Sequence, residues 1–213
     1  MSAFSIEEES PLTGFLDQNT GMKKFLKENK RIRVGTLGPL GTTSSGAAEF
    51  YIANVNKVYK KSVELKLWND FDLVYEGLLE GEVDLIIIPN PYEDVAKIYW
   101  DSDLELIFSF ILDSPYYGLA AKDRSFADKN HILIATGPGV HSLIKRLGNE
   151  LLKTHTFELY NVNSTTEAAI AVHEGRADLA VTNNTSLDKI GLSFVTPIIN
   201  TKILWSVFKR KVS

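Results

Sequence analysis

Cysteine is absent from the 213-residue chain, which removes disulfides and thiolate chemistry together. Basic charge is scarce as well: 23 Lys and Arg stand against 27 Asp and Glu, a formal net charge of −4. With no basic face or run, nucleic acid is excluded as a partner. The four histidines, His131, His141, His155 and His173, are scattered without metal-ligand spacing, so no metal site is expected. No apolar run approaches the length of a membrane span, and the densest, Leu85-Ile86-Ile87-Ile88, has the length of a buried strand. Residues 1–10 carry Glu7-Glu8-Glu9 in place of a charged-then-apolar signal pattern, and a cytoplasmic protein is expected. Recognisable catalytic constellations are missing too: no Gly-x-Ser-x-Gly elbow, no His-Glu-x-x-His helix, no Ser-His-Asp triad. Glu93 and Asp94 are adjacent in a loop, where carboxylates are solvated. An enzyme built this way acts by positioning and desolvating its substrate.

What is present is a soluble globular composition, 44% hydrophobic and 23% charged, organised around residues 32–55. Residues 32–37 read as a short buried strand that Gly38-Pro39 breaks. Gly41-Thr42 then opens a helix through Ala47, Ala48, Phe50, Tyr51 and Val55. Thr42, Thr43 and Ser44 fall at its cap and first turn, beside free amides and the positive end of the dipole. Such a tip seats a carboxylate or phosphate, or it simply caps a helix. The spacing is neither a Walker loop nor a dinucleotide fingerprint.

The body repeats itself. Residues 71–85 and 165–179 are both amphipathic helices closed by Glu-Gly, then two residues, then Asp-Leu opening a strand. The strand, Gly38-Pro39 turn and helix have a partner in residues 131–136, Gly137-Pro138 and a helix over 140–152. Each half runs strand, turn, helix, strand, helix, strand, which implies parallel sheets. The expected fold class is therefore α/β, with two lobes and a cleft between them. Residues 1–30 form an N-terminal extension with a short basic amphipathic helix over 22–29. It packs on the body or on a second subunit, which would make a homodimer. Lobe one takes 31–109 plus 197–213 and lobe two takes 110–196, with crossings at 111–115 and near Pro197 that would act as a hinge.

Ligands of open α/β sheets bind beyond the carboxyl ends of the strands. Lobe one places Thr36, Thr42, Thr43, Ser44, Asn90 and Tyr92 there. Lobe two places Thr136, Asn163, Ser164, Thr165, Thr166, Thr182 and Asn183 there. Nearly all are small neutral donors, a lining that suits a small anion held by hydrogen bonds and helix dipoles.

Four stretches carry a family likeness: Gly38-Pro39-x-Gly41-Thr42-x-Ser44 with Ala47-Ala48, then 84–89, Ser164-Thr165-x-x-Ala168-Ala169, and 177–181. They resemble the catalytic domain of prephenate dehydratases over about residues 31–209, and imply a single domain of that type over 31–213. The resemblance implies the two-lobed fold of type II periplasmic binding proteins and a dicarboxylate substrate, prephenate. Two departures stand out. The family's Ile-Glu-Asn-Ser after Pro89 is replaced by Asn90-Pro91-Tyr92-Glu93. Its Thr-Arg-Phe triplet, whose threonine is thought to protonate the departing hydroxyl, aligns with Ile203-Leu204-Trp205; a shifted register would use Thr201-Lys202 instead.

The chain is more similar to the non-aromatising prephenate decarboxylases typified by bacilysin (anticapsin) biosynthesis. The shared residues are residues 36–44, Pro89-x-x-Tyr92, Pro115-x-Tyr117-Gly118-Leu119-Ala120, Val162-Asn163-Ser164-Thr165, Thr182-Asn183 and Trp205-Ser206-x-Phe208. That likeness implies a cofactor-independent carboxy-lyase of antibiotic biosynthesis that spares the ring hydroxyl, with a downstream isomerase and reductase as pathway partners. It places the side-chain carboxylate on Thr42 to Ser44 or Ser164 to Thr166, and Trp205 in the substrate wall. The carbon-directed proton is assigned to Tyr92, Tyr117 or the substrate's own hydroxyl, with Lys202 and His141 as further candidates. A dehydratase giving phenylpyruvate and a non-catalytic small-anion binding module are the alternatives.

Overall fold

A computed structural model describes residues 20–137 and 139–211, apart from the side chains of Asp188 and Lys189. The expectations for residues 1–19, Pro138 and residues 212–213 lie outside the described residues. Helix α1 is Thr20–Glu28. The first lobe then runs β1 (Arg31–Leu37), α2 (Thr43–Tyr59), β2 (Ser62–Trp68), α3 (Phe71–Leu79), β3 (Leu85–Pro89), α4 (Val95–Tyr99) and β4 (Leu104–Asp113). The second runs β5 (Tyr117–Ala121), β6 (His131–Thr136), α5 (Leu143–Leu147), β7 (Thr156–Asn161), α6 (Thr165–His173), β8 (Leu179–Asn183), α7 (Asn184–Ile190) and β9 (Ser193–Phe194). Strand β10 (Lys202–Arg210) returns to the first sheet.

The sheet orders are β2-β1-β3-β10-β4 and β7-β6-β8-β5-β9. Parallel pairs β1–β2, β1–β3, β6–β7 and β6–β8 form the repeated half of each sheet. The sequence repeat has a physical meaning at its aspartates. Asp84 accepts from the backbone N–H of Arg33 at 2.7 Å, and Asp178 from that of Leu133 at 2.9 Å. Each fastens the start of the third strand of its unit to the first. Gly81 and Gly175, at φ 75° and 77°, end the preceding helices in the left-handed conformation that a side chain would strain. These paired features put the carboxyl ends of β1, β3, β6 and β8 on the cleft side.

Two expectations need correction. The helix expected over 140–152 is only Leu143–Leu147, followed by one 3₁₀ turn at Leu151–Lys153, because the chain breaks at Gly148. The first sheet does not end at residue 109: β4 continues to Asp113, where Asp113 pairs with Lys202 in register and by an ion pair of 2.8 Å. On the return, Ile199 still bridges to Tyr117 of β5. The two crossings therefore lie side by side, joined by Ser114 N–H to the Thr201 carbonyl at 2.7 Å and Thr201 N–H to Ser114 Oγ at 3.0 Å.

Helix α1 is part of the body. Met22 and Leu26 are buried in the same apolar cluster as Tyr51, Ile107 and Trp205, and the Tyr51 hydroxyl reaches Met22 Sδ. Leu26→Ala is expected to cost about 3 kcal/mol, in the range of buried leucine truncations, as read by urea unfolding. Among the described residues, no helix is long and apolar enough to cross a membrane.

Candidate functional site

A cavity of about 80 Å³ lies between the lobes. Its polar wall is made of two helix tips that face each other. The tip of α2 gives Thr42, Thr43 and Ser44, and the tip of α6 gives Ser164 and Thr165, with Asn163 just before it. Both tips are capped internally: Thr42 Oγ1 accepts from Ser45 N–H at 3.2 Å, and Ser164 Oγ from Glu167 N–H at 3.1 Å. The cap side chains are thus committed, while the first amides of each helix have no partner within the helix. The opposite wall is apolar: Leu37, Phe71, Pro89, Pro91, Val140, Ile203 and Trp205. Among the described residues, no Asp, Glu, Lys, Arg or His lines this cavity. Such a chamber is suited chemically to an anion held on amides and hydroxyls, with the rest of the ligand in a medium poor in water.

Hydrogen bonds close the cleft directly. Thr43 Oγ1 of the first lobe and Tyr117 Oη of the second share one at 2.7 Å. Asn183 Nδ2 donates to Thr165 Oγ1 at 3.2 Å and to Thr43 Oγ1 at 3.5 Å, while its Oδ1 accepts from Ser186 N–H at 3.1 Å and caps α7. Fully buried Asn183 therefore ties both helix tips together. Asn183→Ala takes the partner from Thr165 Oγ1 and from the Ser186 N–H, and the expected loss is about 2 kcal/mol of stability, read from the shift of the urea midpoint. On the far side, Gly139 at φ 77° lets its loop approach Pro91, whose carbonyl oxygen lies 3.1 Å from where a Cβ on Gly139 would stand.

The structure gathers nine of the sequence-derived residues at the cavity: Thr42, Thr43, Ser44, Tyr92, Tyr117, Asn163, Ser164, Thr165 and Trp205. The others stand behind it. Thr36 donates to the Ile87 carbonyl at 2.7 Å, and Thr182 to the Thr165 carbonyl at 2.8 Å. Thr166 pairs with Ser186 Oγ at 3.0 Å. Asn90 accepts from Ser206 Oγ at 2.7 Å and meets Tyr99 on the sheet face. Thr136 Oγ1 is buried and without a hydrogen bond among the described residues. Sequence reading did not assign the apolar wall of Leu37, Phe71, Pro91 and Val140 to the site, although Leu37 and Pro91 lie inside the named stretches 36–44 and 90–93. Glu93, read as solvated, is exposed along 60% of its side chain and also meets His141 of the other lobe at 3.2 Å.

Both tyrosines at the cavity are held in the neutral form. Burial pushes the Tyr92 phenol up, with help from the negative charges of Asp72, Asp94 and Asp70. Burial also raises Tyr117, against smaller opposing hydrogen bonds from Thr43 and Asn183. The ring of Tyr92 packs on Phe71 at 4.5 Å between centroids. On β10, Ile203 and Trp205 face the cavity, whereas Thr201 is exposed and Lys202 is committed to Asp113 at the surface.

No family model matches the chain. Among curated proteins, the chain is 35% identical over 199 residues to a prephenate decarboxylase of Bacillus subtilis (strain 168), covering 92% of this chain and 95% of that one. It is 34% identical over 185 residues to a prephenate decarboxylase of Bacillus amyloliquefaciens, covering 85% and 88%. Among solved structures, the prephenate dehydratase of Arthrobacter aurescens in complex with L-Phe superposes with a TM-score of 0.53 at 15% identity. That match covers 85% of this chain and 61% of the other. A periplasmic substrate-binding protein of an ABC transporter from Coxiella burnetii gives a TM-score of 0.58 at 18% identity, covering 84% of each chain. These two likenesses carry the fold: two α/β lobes around a cleft.

Proposed function

The chain belongs to the prephenate decarboxylase family, and we propose that it removes carbon dioxide from prephenate while leaving the ring hydroxyl in place, giving a dihydro-4-hydroxyphenylpyruvate. The observation that carries this reading is the division of the cavity. One wall is two helix tips, the other is apolar, and the β10 side is closed by Ile203 and Trp205. The side-chain carboxylate sits between Thr42 to Ser44 and Ser164 to Thr165, with the hydroxyls that now bond one another, Thr43 and Tyr117, turning to it. The ring carboxylate then lies against Phe71, Val140, Ile203 and Trp205. A localised carboxylate is penalised there more than the spread charge of the transition state, so the environment favours loss of carbon dioxide.

The competing path is aromatisation, in which the ring hydroxyl is protonated and leaves as water. That path needs an acid beside the hydroxyl. Ile203, on the β10 wall, offers none. Retention of the alcohol follows from what the wall withholds. Tyr92 and Tyr117 remain at the cavity as hydrogen-bond partners, and Asn183 and Thr182 act from behind as positioning residues.

The product would serve the biosynthesis of an antibiotic or a non-proteinogenic amino acid in the cytoplasm, its alcohol and diene passing to an isomerase and a reductase. A cavity of about 80 Å³ is smaller than the usual ligand pocket, so the lobes part about the paired crossings at Ser114 and Thr201 to admit substrate. The test is purified protein with prephenate, products read by mass spectrometry. The expected product has lost carbon dioxide and kept its oxygen; phenylpyruvate would make the chain a dehydratase, and unchanged prephenate a binding module.

A further inference from the structure

At the mouth of the cleft, a second cavity of about 190 Å³ shares Phe71, Tyr92 and Asn163 with the first. Here Glu93, on the loop after β3, meets His141, on the loop before α5, with Oε1 at 3.2 Å from Nδ1. The pair bridges the lobes and exists only when they are closed. Its side chains are 60% and 32% exposed, and an ion pair that open contributes little to stability. Its geometry suggests a different role. A carboxylate only accepts, so it fixes the hydrogen of the imidazole on Nδ1 and leaves Nε2 to take or release the second proton. His141 Nε2 is buried and has no hydrogen-bond partner among the described residues. A buried polar atom without a partner is uncommon enough to indicate a missing one.

Among the described residues, His141 is also the one lining either cavity that can carry positive charge. The titratable groups around it are Asp70, Asp72, Tyr92, Glu93 and Asp94, four of them acidic. These carboxylates do not form a metal site with it; among the described residues no group of three or more such side chains is placed to hold a metal ion. Decarboxylation without aromatisation needs an acid aimed at ring carbon. The neutral tyrosines are poor candidates, whereas an imidazolium is matched to transfer near neutral pH.

We propose that His141, oriented by Glu93 across the closed cleft, is the acid that protonates the ring carbon, an inference that rests on the decarboxylase reading. In the step, the bond from the ring carbon to the carboxylate breaks and carbon dioxide leaves. The electron pair moves through the diene, and the far carbon forms a C–H bond with the proton of Nε2. The imidazolium becomes imidazole, the ring hydroxyl is untouched, and water returns the proton to Nε2 once the lobes part. His141 is the catalytic residue of this step and Glu93 a positioning residue.

The test compares wild type, His141→Gln, His141→Gly, Glu93→Gln and Glu93→Leu on prephenate, with circular dichroism to confirm folding. His141→Gln is expected to lower kcat roughly a hundredfold or more, the usual worth of a general acid, with KM within about threefold, and to abolish the alkaline limb of the wild-type pH profile. Added imidazole restores part of the activity of His141→Gly. Glu93→Gln, which keeps an acceptor for Nδ1, retains most of the activity, and Glu93→Leu loses about tenfold in kcat. Wild-type turnover and pH profile in His141→Gln would overturn the assignment while leaving the decarboxylase standing. A loss with no imidazole rescue and an unchanged pH profile would make His141 structural and overturn it too. A wild-type protein that releases no carbon dioxide would remove the decarboxylase reading itself, and the inference with it.

Discussion

Ile203→Thr is expected to turn part of the product into phenylpyruvate. Ile203 is half-buried, lines the cavity beside Trp205 and pairs in register with Leu112 of β4. Threonine has a similar branched shape, so β10 keeps its place while a hydroxyl enters the wall. In the register that sets Trp205 against the aromatic residue of the dehydratases' Thr-Arg-Phe, the resemblance puts their acid at this position. A positioned proton donor is worth about 10²–10⁴ in rate, and the path it opens ends in an aromatic ring. Even a poorly placed hydroxyl therefore competes with ring-carbon protonation, and an aromatic fraction above roughly a tenth is expected on that scale. The stability cost, about 1–3 kcal/mol for burying a hydroxyl without a sure partner, is read separately by urea unfolding. Product that stays wholly non-aromatic would mean that Ile203 does not face the hydroxyl.

Thr165→Asp separates two roles that threonines at helix starts always confuse. If Thr165 only begins a helix, an acid there is welcome: it interacts favourably with the dipole by about 0.3–1 kcal/mol and still accepts from Asn183. If the tip of α6 seats a carboxylate, the same acid puts like charges about 4 Å apart, costing about 4 kcal/mol at an effective dielectric of 20. The expected result is a melting temperature unchanged or slightly raised, with kcat/KM lower by roughly a thousandfold. Activity within about threefold of wild type would remove the anion seat from this wall.

How far the site could be read from the chain follows from what each signal encodes. The repeated Glu-Gly-x-x-Asp-Leu located both α/β units because its parts have fixed jobs: the glycine ends a helix and the aspartate grips the strand start, as Asp84 and Asp178 do. Helix tips were legible for the same reason, and the tips of α2 and α6 do line the cavity. Side-chain direction was not. Thr36 and Thr182 stand at strand ends as expected, yet each spends its hydroxyl on a backbone carbonyl. Asn90 turns to Ser206 and Tyr99, because β10 continues the sheet beside it and supplies a nearer partner. The Glu93–His141 contact joins residues 48 positions apart on loops of different lobes, and no local pattern announces such a meeting.

Prephenate carrying a heavy oxygen isotope in its ring hydroxyl tests the central claim most directly, since that claim is that the cleft lets carbon dioxide go and keeps the alcohol. The account predicts that the label stays wholly in the organic product as carbon dioxide is released. Label appearing in water, together with an aromatic product, would contradict it.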